Sequence, residues 1–173
     1  MKKCILISTV FLTSFFGTNS VFGQDIGFSA GYGSSTTMYL DIFYFLKNEN
    51  TFHVGGSIQF ADQLGKRVNE QKPNHGRTVL GNGEYFWSLD LSYNLHLKYN
   101  FTVAGELSIG AQNSYTNFED NRFSEGGYHL IDSEITAGVG SNIGYNFSDS
   151  VNGFVGFNTL RRLTLGIRYG LKY

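Results

Sequence analysis

The sequence predicts an all-β chain: eight antiparallel strands, connected up and down and closed into a transmembrane barrel with a polar interior. Three observations predict it. Apolar side chains recur at every second position in eight separate stretches, the period of a strand with one apolar face. The connections between stretches alternate between tight turns and long polar segments, an arrangement of outer-membrane barrels. The last stretch, Leu163 to Tyr173, alternates without a break and ends on the aromatic. A soluble sheet seldom ends on an exposed apolar edge, because the edge invites pairing with other chains. A closed membrane barrel has a use for it, since lipid wets the apolar face and the first strand pairs with the last.

The N-terminal end fits export. Lys2 and Lys3 precede an apolar run from Ile5 to Gly17 and then the small and polar residues up to Gly23. This reads as a secretory signal peptide over 1–23, too short and too polar for a spanning helix, with cleavage expected after Gly23. The domain expected to remain, 24–173, keeps no cysteine, since Cys4 lies ahead of the apolar run. An exported chain without disulfides needs another form of closure. Removing Lys2 and Lys3 leaves 11 of the 13 basic residues against 14 acidic ones, a balance that argues against nucleic-acid binding.

The stripes follow in order. Ile26, Phe28, Ala30 and Tyr32 face Gly27, Ser29 and Gly31. Met38, Leu40, Ile42, Tyr44 and Leu46 form the second stripe, with Asp41 on its other face. Phe52, Val54, Gly56, Ile58 and Phe60 form the third, and Trp87, Leu89, Leu91, Tyr93 and Leu95 the fourth. Phe101 to Ile109 carries the fifth, Ile131 to Tyr145 the sixth and Val151 to Phe157 the seventh. The C-terminal stripe is the eighth, and Ile26–Tyr32 is the strand it is expected to close against. Tight turns are expected at 47–50, 96–98 and 148–150, and long loops at 62–84 and 112–127. Asn152-Gly153 is a competing hairpin signal. It is rejected because it would turn Phe154 and Gly156 outward in place of Val155 and Phe157.

Alternation alone does not say which face is inside. A secreted, lipocalin-like barrel would turn its apolar face inward to hold a ligand. Two features favour the membrane. The polar face is rich in Gly, Ser, Ala and Thr, which suits a crowded lumen, while Lys47, Lys66, Lys72 and Lys98 fall in turns and loops. The alternation also runs to the last residue.

The Leu-x-Leu-x-Ile-x-Tyr-x-Leu-x-Tyr stripe ending at Tyr173 and the Tyr-Asn-Phe-Ser-Asp-Ser hairpin at 145–150 resemble the small eight-stranded bacterial outer-membrane barrels of the OmpA-transmembrane and OmpX-like group. The resemblance implies insertion by a barrel-assembly machinery that reads a C-terminal strand ending in an aromatic, and Tyr169, Leu171 and Tyr173 match that signal. It implies a Gram-negative outer membrane with lipid as the surrounding partner, and a monomer or a subunit of a larger membrane complex. It implies no cofactor.

The inward face is expected to carry Asp41, Asp90, Glu106, Asp132 and Glu134 against Arg162, Arg168 and Lys172. Unpaired charge is costly to bury, so these groups are expected to pair across the lumen as a structural plug rather than to line a narrow ion path. His53, His96 and His129 raise a lipid-modifying enzyme as a less favoured reading, but no His-x-Ser motif accompanies them. No two histidines have metal-ligand spacing and no catalytic residue is assigned. The long loops remain as the contact surface, with Lys66, Arg67, Lys72 and Arg77 in one and Tyr115, Phe118 and Phe123 in the other. The expected role is structural, adhesive or accessory to a complex through an unidentified protein partner. A narrow channel for ions or small solutes is the alternative.

Overall fold

The computed structural model describes residues 25–46, 48–69 and 78–171. The segment expected to be a signal peptide, together with Lys47, Lys72, Arg77, Lys172 and Tyr173, lies outside the described residues. Nine strands are present among the described residues: β1 (Ile26–Gly33), β2 (Thr37–Phe45), β3 (Thr51–Gln59), β4 (Lys66–Arg67), β5 (Val79–His96), β6 (Phe101–Phe118), β7 (Gly127–Asn146), β8 (Val151–Asn158) and β9 (Arg162–Leu171). All except the two-residue β4 form a closed antiparallel ring in the order β7-β6-β5-β3-β2-β1-β9-β8, with β8 returning to β7. Closure falls where the first stripe predicts it: Phe28 stands opposite Tyr169, and Ile26 opposite Leu171. Closing the ring removes the sheet edge at the level where all eight strands are paired, so the backbone there is satisfied without water.

The barrel is inside-out. Leu89 is 66 % exposed, Val139 61 % and Ile167 61 %, whereas their polar neighbours Ser88, Asn142 and Arg168 are buried. Outward aromatics flank the aliphatic band. Tyr93, Phe101, Tyr145 and Tyr169 stand toward the short turns, and Tyr32, Trp87 and Phe157 toward the other end. Rings of this kind favour the two membrane–water boundaries. The hairpin at 147–150 has the register expected: Asn146 pairs with Asn152, Val155 and Phe157 face out, and Phe154 faces in.

Space inside is shared between glycines and large rings. Gly27 stands opposite Phe43, and Gly31 opposite Tyr39, and each ring lies where a glycine Cβ would be. Gly166 opposite Phe154 repeats the device on β8 and β9. A lumen of eight strands has about the width that side chains fill, and these pairs fill it where the polar residues are small.

The long loops prove shorter than the sequence suggests. β5 begins at Val79, β6 runs to Phe118 and β7 begins at Gly127, so the expected loops 62–84 and 112–127 contribute much of their length to strands. Their polarity has a physical reason. Beyond the membrane both faces of a strand meet water or protein, so alternation fades while backbone pairing continues. The result is a three-stranded extension standing past the rim, with bulges at Leu80 and Ile131. β4 pairs in parallel with its tip, Lys66 opposite Gly127 and Arg67 opposite Tyr128.

Candidate functional site: the luminal network and the outer extension

Inside the barrel, β3, β5, β6 and the turn before β9 each present one inward polar group at a common depth. Arg161, 2 % exposed, joins them. One guanidinium nitrogen donates to Asp90 Oδ2 and to Ser57 Oγ, each at 3.0 Å. The other donates to Glu106 Oε2. The guanidinium carbon lies 4.4 Å from the centre of the Tyr39 ring. Ser88 Oγ donates to the second Asp90 oxygen at 3.0 Å, and Asn142 Nδ2 to the second Glu106 oxygen at 2.6 Å. Both carboxylates thus have partners on both oxygens, which offsets the cost of burying them.

Asn142 carries the network onward. Its amide oxygen accepts from Arg168 at 2.6 Å, and Asn152 accepts from the same guanidinium at 2.8 Å. Arg168 stacks over Phe154 at 4.0 Å. On the opposite wall, His53 stacks on Phe43 with ring centres 4.6 Å apart, and its Nε2 lies 2.6 Å from Asn94 and 2.9 Å from Thr51. Asp41 Oδ2 is 3.9 Å from His53 Nδ1.

The candidates from sequence separate into three groups. Asp90 and Glu106 meet at one cation, and Asp41 and Arg168 lie in the same lumen without sharing an ion pair with them. Arg162 does not enter: it is exposed at the rim with a left-handed backbone (φ 62°), and Arg161 fills the role expected of it. Period-2 counting fails there because residue 161 belongs to the turn, where side chains no longer alternate. Asp132 and Glu134 stand on the extension, exposed and away from the network; Asp132 accepts from the Ser133 backbone N–H at 2.7 Å. The inward asparagines Asn142, Asn152 and Asn158 were not among the candidates, although asparagine on the inner face of a membrane strand signals a hydrogen-bonded interior. Tyr169 faces outward at 50 % exposure, and Leu171 stands opposite Ile26 in the closing pair of strands.

At the outer end, Tyr115 and Phe118 are not contact residues. Tyr115 is 4 % exposed between Tyr85 and Tyr128, with ring centres 6.1 and 6.2 Å away, and Phe118 is fully buried. The segment before β4 covers this face: Asn117 donates to the Asp62 carbonyl and accepts from the Leu64 N–H. Lys66 and Arg67 are exposed, and Phe123 is half-buried. Lys66 Nζ and the Arg122 guanidinium lie 5.5 and 5.4 Å from the Phe123 ring centre. Asp120 holds Arg122 at 2.6 Å and pushes its pKa further up from the ordinary guanidinium value through that hydrogen bond.

Among the described residues, cavities lie at two levels of the lumen. One of about 10 Å³ touches Asp41, His53, Asp90, Glu106 and Arg161, room for a single water at most. One of about 410 Å³ opens at the short-turn end. His96 faces Glu49 at 3.6 Å and His129 faces the Val68 carbonyl at 3.1 Å. Among the described residues, no three His, Cys, Asp or Glu side chains are grouped to hold a metal ion.

No protein-family model and no curated protein matches the chain. Solved structures similar to it include surface protein A of Neisseria, at 12% identity over 84% of this chain and 94% of that one, with a TM-score of 0.48. The N-terminal β-barrel domain of Pseudomonas aeruginosa OprF is similar at 12% identity over 87% and 99%, with a TM-score of 0.47. The attachment invasion locus protein of Yersinia pestis, in complex with a heparin analogue, is similar at 13% identity over 85% and 96%, with a TM-score of 0.45. By its own strand order, closure and outward apolar face, the chain is an eight-stranded antiparallel transmembrane β-barrel.

Proposed function

We propose that this chain is a bacterial outer-membrane barrel that works as a closed pillar. In this reading it carries the β5–β7 extension on the cell surface as a contact site for a protein partner or an external surface. The observation that carries the reading is the filled layer around Arg161, where the lumen narrows to a water-sized cavity. A sealed lumen leaves the extension as the working surface. Its tip is braced by buried Tyr115 and Phe118, so Lys66, Arg67 and Phe123 are presented on a rigid support rather than on a free loop.

The experiment is co-purification from mild detergent, together with adhesion of cells carrying the chain. Lys66→Glu with Arg67→Glu is expected to abolish the contact while stability stays within about 0.5 kcal/mol, because both side chains are exposed. Retention of every partner and of adhesion by this variant would overturn the reading. A narrow channel is the second reading, favoured by the cavity of about 410 Å³ that enters from the short-turn end. The closed-pillar reading expects no steady conductance in planar bilayers; sustained conductance by the wild-type barrel would transfer the function to the channel.

A further inference from the structure

The lumen holds the Arg161 ion-pair layer toward one end and a cavity that opens at the other. The cavity of about 410 Å³ at the short-turn end falls in the size range of small-molecule sites, about 300–1,000 Å³. At its inner end lies Arg168, 6 % exposed. Asn142 and Asn152 each accept one of its N–H groups, and its Nε has no hydrogen-bond partner. Among the described residues, no carboxylate forms an ion pair with it, in contrast to Arg161, which binds two. A guanidinium has five N–H donors, so three remain on Arg168 beyond the two that Asn142 and Asn152 accept, and no described carboxylate comes within ion-pair distance of its charge beside the cavity. Burying such a charge is costly, and an anion at the cavity's inner end would offset that cost.

The walls limit the kind of anion. Phe43 and Phe45 give one apolar side, and Asn94, Asn146 and Thr102 give a polar one. Glu49 and Asp149 stand at the mouth, which disfavours a polyanion. We propose that this cavity binds a small organic monocarboxylate, its head on Arg168 and its planar apolar body along Phe43 and Phe45. The site faces away from the surface extension and is independent of what the extension contacts.

The test is titration of the folded barrel in detergent with benzoate, followed by the Arg168 Nε resonance. Benzoate is expected to shift that resonance saturably. Benzamide, with the same shape and no charge, is expected to bind at least about tenfold more weakly, the factor that one charge-assisted hydrogen bond supplies. Asn152→Asp places a carboxylate on the guanidinium in nearly the same geometry. It is expected to abolish benzoate binding while the barrel keeps its heat-modifiable mobility on a detergent gel. No saturable shift with benzoate, equal binding of benzamide, or unchanged binding in a folded Asn152→Asp barrel would each overturn the proposal.

Discussion

Replacing Arg161 by alanine is expected to destabilise the folded barrel by about 3–5 kcal/mol, the usual cost of removing one partner from a buried ion pair. Two carboxylates, Asp90 and Glu106, share this one guanidinium, and both are largely buried. Without it, two negative groups face each other in a layer whose free space is about 10 Å³. Water has too little room to take over. Urea unfolding from lipid vesicles, followed through the single tryptophan, Trp87, measures the loss. Adding Asp90→Asn and Glu106→Gln to Arg161→Ala is expected to restore part of it, because neutral amides carry no charge to desolvate. Arg162→Ala supplies the control. Arg162 is exposed, so its removal is expected to change stability by no more than about 0.5 kcal/mol. Equal effects of the two substitutions would remove the ion pair from the account of what holds the lumen closed.

Leu107→Arg is expected to cost about 2–4 kcal/mol, the range for a cation on the lipid face near the middle of a membrane. Leu107 lies midway along β6, faces outward and stands between Leu91 and Val139. Tyr99→Arg, in the 3-10 turn Lys98–Asn100 at the short-turn end, is expected to cost at most about 1 kcal/mol, because the charge there reaches the boundary or water. The same vesicle assay reads both. A water-facing Leu107 would accept arginine at almost no cost, so equal tolerance at the two positions would contradict the membrane placement of the band.

The eight stripes are legible in the sequence because lipid and lumen impose opposite polarity on alternate residues along the whole of a spanning strand. Closure between Ile26–Tyr32 and the C-terminal stripe is legible for the same reason. The extension is not. Residues such as Asn82, Glu84, Gln112 and Ser114 sit on paired strands, yet they break the regular alternation that marks a spanning strand. Their pairing is a backbone fact, and the polarity of these residues does not report it. Tyr115 and Phe118 look like surface contacts in the sequence because nothing local tells that the segment around Asp62 and Leu64 folds back over them.

The candidate site divides along the same line. That Asp41, Asp90, Glu106 and Arg168 share the polar face of their strands follows from parity alone. Which cation meets which carboxylate does not, because partners across a lumen are far apart in the chain and depend on how strands stagger around the ring. Arg161 and Arg162 are adjacent and chemically identical, and a left-handed backbone at Arg162 accompanies the entry of Arg161 rather than Arg162. The sequence by itself determined a strand fold with one lipid-facing side, because the period of two acts residue by residue. Only the tertiary structure decided which inward groups meet in the layer around Arg161 and which line the cavity at the short-turn end. That outcome rests on one turn delivering Arg161 between Asp90 and Glu106, while Arg168, a few residues on, is held by amides.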